Sequence, residues 1–144
     1  MQQLSENIVE ILKSEHDLVR SNLKKVLDGN SVDQDVISQT ANAALNHFTG
    51  EEKLVFPKFE SMQETRRLTY ALYEEHGLAR KLISEIAQSS TADTDRWLAR
   101  IKVLDDLTSA HFRDEEEVVF PKAQEVLDAQ TLEEIGRRYK NKQF

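Results

Sequence analysis

Two histidine-bearing motifs each occur twice in the chain, and this duplication constrains the fold more than any other feature. Glu15-His16-Asp17-Leu18-Val19-Arg20 recurs as Glu75-His76-Gly77-Leu78-Ala79-Arg80, an offset of 60 residues. His47-Phe48, Glu51-Glu52 and Val55-Phe56-Pro57-Lys58 recur in the same order as His111-Phe112, Glu115-Glu116 and Val119-Phe120-Pro121-Lys122, an offset of 64. The register inside each half is nearly kept. The chain therefore reads as two copies of one unit, which a pseudo-twofold arrangement would set face to face.

The unit is helical. Apolar residues recur at three- and four-residue spacing in four segments, near 4–28, 33–60, 62–88 and 94–128, each preceded by residues that suit a helix start. Only four glycines and two prolines interrupt 144 residues, whereas sandwiches and barrels need a turn signal every ten residues or so. Ser31 to Gln34, Ser61 to Glu64 and Thr131 to Glu134 match the capping box, and the last predicts a short terminal helix over 131–141. The breaks Asp28-Gly29-Asn30 and Ser89 to Asp93 are short and rich in turn formers, so successive helices are expected to be antiparallel neighbours. The expected fold is all-α: an up-down-up-down antiparallel four-helix bundle over 1–128, a duplicated helical hairpin (4–60 and 62–128), followed by a short C-terminal fifth helix or tail in 129–144. This length suits one domain.

The histidines sit where the helical period calls for core residues. Helix one runs Ile8, Leu12, His16, Val19, Leu23; helix two runs Val36, Thr40, Ala44, His47, Glu51, Val55; helix three runs Leu72, His76, Ala79, Ile83, Ile86; helix four runs Trp97, Ile101, Leu104, Thr108, His111, Glu115, Val118. His16 and His47 lie about 18 and 21 Å from their shared loop at 1.5 Å per residue, which predicts one polar layer at mid-bundle. Glu51 and Glu115 follow His47 and His111 by four residues, one turn along the same face.

An unpaired carboxylate in an apolar interior costs several kcal/mol, and two beside neutral imidazoles cost more. A bound cation resolves the cost. The chain has no cysteine, which excludes disulfides, thiolate catalysis, Fe–S clusters and Cys-type zinc sites. Four imidazoles and two carboxylates suit iron, manganese or zinc, and the carboxylates are placed to bridge a pair of ions. If both bridge, each ion receives two histidine and two glutamate donors. For six-coordinate iron, an oxo or hydroxo bridge would take one further position and leave one open on each ion.

The pattern H…HxxxE…H…HxxxE, with its flanking EH and EE-x-x-[VF]-F-P elements, resembles the hemerythrin HHE cation-binding family from about residue 5 to 128. The resemblance implies a non-haem di-iron centre with His16, His47, His76 and His111 as terminal ligands and Glu51 and Glu115 as bridges. It further implies a small ligand: dioxygen, nitric oxide or hydrogen peroxide. Ferritin-type centres use Glu-x-x-His motifs, and here Lys13, Ala44, Tyr73 and Thr108 stand three before the histidines. Oxygen-carrying hemerythrins have a fifth histidine one turn after the third, where this chain has Arg80, and an aspartate bridge five residues after the last histidine. The four-histidine, two-glutamate set is more similar to bacterial hemerythrin-like proteins linked to nitric oxide, to peroxide and to repair of damaged iron–sulfur clusters. Alternative readings of the same residues are iron storage or donation, sensing of oxygen or iron, and a metal-free helical interaction module whose polar layer fixes register.

Other residues are read more plainly. Glu52, Glu116 and Glu117 turn away from the ligand face and are expected in solvent, with Glu116 an alternative bridge. Arg20 and Arg80 follow His16 and His76 by one turn, a placement for surface ion pairs or, alternatively, for bracing bridging carboxylates or steering anions. Tyr73 lies one turn before His76, where it packs or donates to a bound oxygen species. Phe48, Phe56, Phe112, Phe120 and Trp97 are expected to pack around the metals. Pro57 and Pro121 are expected to bend or end their helices. A net charge of −7 disfavours nucleic acid and anionic lipid as partners. No run approaches the ~18 apolar residues of a membrane span, so the expected location is cytoplasmic.

Overall fold

A computed structural model describes residues 6–144, and among these no strand occurs. The long helices are α1 (Ile8–Gly29), α2 (Gln34–Leu54), α4 (Gln63–Gln88) and α5 (Thr94–Asp114), with short α3 (Phe56–Glu60), α6 (Phe120–Val126) and α7 (Ala129–Lys140). α1 packs on α2 and α5, and α4 packs on α5 and α2, closing a helical bundle. The first helix begins at Ile8 rather than at 4, because the Asn7 side chain caps it by accepting from Val9 N at 2.9 Å; residues 4 and 5 lie outside the described residues. It ends at Asn30, whose φ of 53° is the left-handed conformation that asparagine tolerates.

None of the three capping boxes is used. Asp33 caps α2 by accepting from Val36 N, and Asp128 caps α7 by accepting from Thr131 N. An aspartate is as good a cap as serine or threonine and here lies at the geometric start of the helix. Met62 precedes α4 without a side-chain cap, while the Ser61 hydroxyl donates to Lys58 O.

The second and fourth expected helices are both interrupted after their glutamates. The first half breaks at Val55, and α3 restarts with Pro57 in its first turn. The second half keeps going through a π-helical turn, Glu115–Val119, in which Phe120 N–H reaches Glu115 O. Proline has no N–H and its ring crowds the carbonyl four residues back; a widened turn absorbs that conflict in front of Pro121. Val118, expected on the core stripe, is 46% exposed, while Val119, the repeat counterpart of buried Val55, is buried.

The core has two apolar halves. One holds Ile8, Leu12, Phe56, Leu72 and Phe120 with Leu132, Ile135 and Tyr139 of α7. The other holds Val19, Leu23, Phe48, Ile83, Ile101 and Phe112. Between them, where α1 passes from Leu12 to Val19, lies a layer of buried polar side chains.

Candidate metal centre

That layer is made by His16 on α1, His47 and Glu51 on α2, His76 on α4, His111 on α5 and Glu115 at the start of the π turn, all six buried. The histidines meet in pairs. His16 Nε2 lies 3.2 Å from His47 Nε2, and His76 Nε2 lies 3.0 Å from His111 Nε2. Glu51 Oε1 stands 3.1 Å from His47 Nε2 and 3.3 Å from His76 Nε2. Glu115 Oε1 stands 3.2 Å from His16 Nε2 and 3.3 Å from His111 Nε2. Each glutamate therefore lies between one histidine of each pair. Two groups of converging donors result: His16, His47, Glu51 and Glu115, and Glu51, His76 and His111.

The outer nitrogen of every ring points at a carboxylate. His16 Nδ1 lies 2.7 Å from Glu116, His76 Nδ1 2.8 Å from Glu52, His47 Nδ1 2.8 Å from Glu15 and His111 Nδ1 3.3 Å from Glu75. A carboxylate accepts, so Nδ1 carries the proton and a neutral ring turns its Nε2 lone pair inward. Arg20 clamps Glu116 with two bonds of 3.0 and 2.9 Å, and Arg80 clamps Glu52 with two of 2.7 and 2.9 Å. Such bidentate, charge-assisted pairs fix orientation. They also hold Glu116 and Glu52 below the usual carboxylate range, since burial would raise both but the arginine and histidine outweigh it.

Glu52 and Glu116 thus depart from the solvated placement expected of them: each swings back over the bundle flank to reach a histidine of the other hairpin. Glu116 takes a histidine Nδ1 rather than a position between the two pairs. Glu117 is exposed. Arg20 and Arg80 brace these outer carboxylates instead of Glu51 and Glu115. Tyr73 donates to Glu60 at 3.2 Å and packs edge-on against Phe56. The repeated phenylalanines sandwich two of the rings: His16 stacks on Phe112 at 3.9 Å and Phe120 at 5.6 Å, and His76 on Phe48 at 4.2 Å and Phe56 at 5.0 Å. Trp97 is buried but starts α5, about 21 Å along the helix from His111 at 1.5 Å per residue.

Three participants were given no role by the sequence. Glu15 and Glu75 are the acidic members of the repeated EH element, and that repetition was their signal. Tyr139, which donates to Glu15 Oε1, has no counterpart in the repeat.

The centre calls for positive charge. All four carboxylate oxygens of Glu51 and Glu115 are buried without a hydrogen-bond partner, a condition that native proteins rarely leave uncompensated. Burial would push His47 down, but Glu51 and the bond to Glu15 outweigh it and hold the ring up at about 10. His111 is likewise held up at about 12, against burial, by Glu115, Glu51 and Glu75. Burial would raise Glu51, yet His47 draws it well below the usual range. An incoming cation must therefore displace protons from these imidazoles. Loading at neutral pH is expected to release protons into weakly buffered solution, and affinity is expected to fall as pH is lowered. A pH-independent titration would contradict this charge balance. The donor set, nitrogen and oxygen with no sulfur, fits iron, manganese or zinc.

Fold and centre together define a helical-bundle protein with two adjoining candidate metal-binding groups of histidine and glutamate. Residues 7–130 match the hemerythrin HHE cation-binding domain, and the chain belongs to that family. No curated protein and no solved structure matches it. No helix among the described residues is long and apolar enough to cross a membrane.

Proposed function

We propose that the chain is a non-haem di-iron protein in which His16, His47, His76 and His111 are terminal ligands and Glu51 and Glu115 bridge the ions. The observation that carries this reading is the set of four buried, unpartnered carboxylate oxygens between two pairs of inward imidazoles. Its frame is the up-down-up-down antiparallel bundle of two hairpins, 4–60 and 62–128, with 129–144 as an appended helix; the ring of packing among α1, α2, α4 and α5 supports that frame. Two irons would supply redox chemistry and open coordination positions for a small ligand.

The surroundings favour a small neutral ligand: dioxygen or nitric oxide ahead of an anion. A cavity of about 400 Å³ opens on the bundle side, lined mostly by apolar residues such as Ile37, Leu45 and Ile83, together with Ser38, Asn42, Ser84 and Arg80. A narrower void shares Ile37, Ala41, Ile83 and Leu104 with it and continues to Ala44 and Thr108. Those two residues are one turn before His47 and His111. The Thr40 and Thr108 hydroxyls donate to backbone carbonyls of their own helices, which leaves the inner void apolar.

Metal analysis of protein purified anaerobically from iron-supplied cells tests the reading, with absorption spectra before and after air, nitric oxide and peroxide. The expected result is about two irons per chain, in line with the donor count, and a spectrum that changes with at least one of these ligands. Two irons with no ligand response, but rapid loss to a chelator, would favour iron handling. Absence of metal, or a single zinc without spectral response, would overturn the di-iron reading.

A further inference from the structure

We propose that Tyr139, on the C-terminal helix, is a positioning residue for His47 that makes the two metal positions unequal, the His16–His47 position holding its ion tightly and the His76–His111 position exchanging. The inference rests on the two-ion reading above. Almost every link around the centre is duplicated. His16, Glu116 and Arg20 form one chain of bonds, and His76, Glu52 and Arg80 form its mirror.

The other two histidines break the symmetry. Glu15 receives His47 Nδ1–H at 2.8 Å and, on the same oxygen, the hydroxyl of Tyr139. Glu75 meets His111 at the longer distance of 3.3 Å, and among the described residues nothing else hydrogen-bonds to it. A carboxylate held by two donors has a fixed orientation, and it fixes in turn the tautomer and aim of the ring it accepts from. A carboxylate held by one long bond does this less well.

The access that Tyr139 needs is built into the helices. Its ring lies against Gly50, where an added Cβ would fall 2.2 Å from Cε2. The position equivalent to Gly50 in the second half is Asp114, so that half offers no such seat. α7 is itself close-fitted, since a Cβ at Gly136 would fall 1.5 Å from the carbonyl oxygen of Glu6. Tyr139 is 8% exposed and belongs to the apolar half-core with Leu132 and Ile135. The inner donors are less even than the repeat: His16, His47 and both glutamates form one mutually close group, whereas the group of His76 and His111 includes Glu51 but not Glu115, which reaches only His111 of that pair, at 3.3 Å.

The test is release of ferrous ion from the anaerobically loaded protein into excess bipyridine, with ions counted before the chase. The wild type is expected to lose one ion quickly and one slowly. Tyr139→Phe keeps the ring and removes the donor to Glu15; it is expected to speed the slow phase severalfold, short of the about 10–100-fold that loss of the outer partner Glu15 itself would cause. The fast phase should stay unchanged. Glu15→Gln should act on the slow phase and Glu75→Gln on the fast one, a separation that general loosening of the fold cannot produce. A single release phase in the wild type, an unchanged slow phase in Tyr139→Phe, or equal acceleration of both phases would overturn the proposal. Fewer than two ions before the chase would instead remove the two-ion reading, and the proposal with it.

Discussion

Replacing Glu51 with glutamine is expected to reduce the ion content from about two per chain to one or none, because that carboxylate stands between the two histidine pairs. Loss of an outer partner costs about 10–100-fold in affinity, and loss of a bridging donor should exceed it. The effect on the fold should run the other way. In the ion-free chain Glu51 is a buried carboxylate that needs a protonated His47 beside it, and buried ion pairs contribute little or nothing net to stability. With glutamine at position 51 the Glu51 share of that upward pull is gone while the bond to Glu15 remains, and no carboxylate is left at position 51 to need a partner.

The ion-free variant should therefore melt no lower than the ion-free wild type. What it should lose is stabilisation by metal, about 4 kcal/mol at a thousandfold excess over Kd. At roughly 2–4 °C per kcal/mol for a domain near this size, that is on the order of 10 °C. Thermal melts with and without ferrous ion read both terms. Retention of two ions, or an ion-free variant that melts many degrees lower, would contradict the assignment of Glu51.

Phe112→Ala is expected to cost about 3–5 kcal/mol in urea unfolding of the ion-free protein, the range for deleting a fully buried aromatic ring. Phe112 is 1% exposed, stacks on His16 at an interplanar angle of 12°, and carries the Arg20 guanidinium 5.4 Å from its centroid. Alanine would remove one wall of the His16 slot and open a cavity beside a polar layer. Phe48→Ala is the mirror experiment, because Phe48 does the same for His76 and Arg80. Similar losses from the two are expected from the duplication. A loss below about 1 kcal/mol for either would mean that the site relaxes and fills, contrary to the close packing described.

Much of the centre was legible before any coordinates. Helical periodicity is local, so a histidine at a core position of the stripe is buried whichever neighbour covers it; this is why six side chains named from spacing converge in one layer. The outer partners were harder to read. Glu52 and Glu116 point off the ligand face of their own helices, and only the approach of α4 and α1 from the other hairpin brings a histidine within reach. Arg20 and Arg80 do form the ion pairs expected of them, but that their partners Glu116 and Glu52 also hold ligand-layer histidines was hidden for the same reason. Tyr73 and Trp97 show the limit of spacing in a different way, because period gives the face of a helix but not the reach of a side chain or its height along the bundle. Val118 was read into the stripe from spacing alone, whereas the repeat, which pairs Val119 with buried Val55, names the valine that is buried; the π turn itself is announced only by the proline that follows.

His16 and Glu116 are 100 residues apart, and His76 and Glu52 are 24 apart across the junction of the two hairpins. Loop-closing contacts of such separation form late, since chain entropy must be given up before they return anything. As the chain leaves the ribosome, His16, His47 and Glu51 are made first and have only Glu15 nearby to orient them. His76 follows for Glu51, and the partners of His16 arrive only when residues 115 and 116 emerge. Metal capture should accordingly be among the last events of folding, and a chain stalled after its first hairpin would carry half a site with two exposed imidazoles.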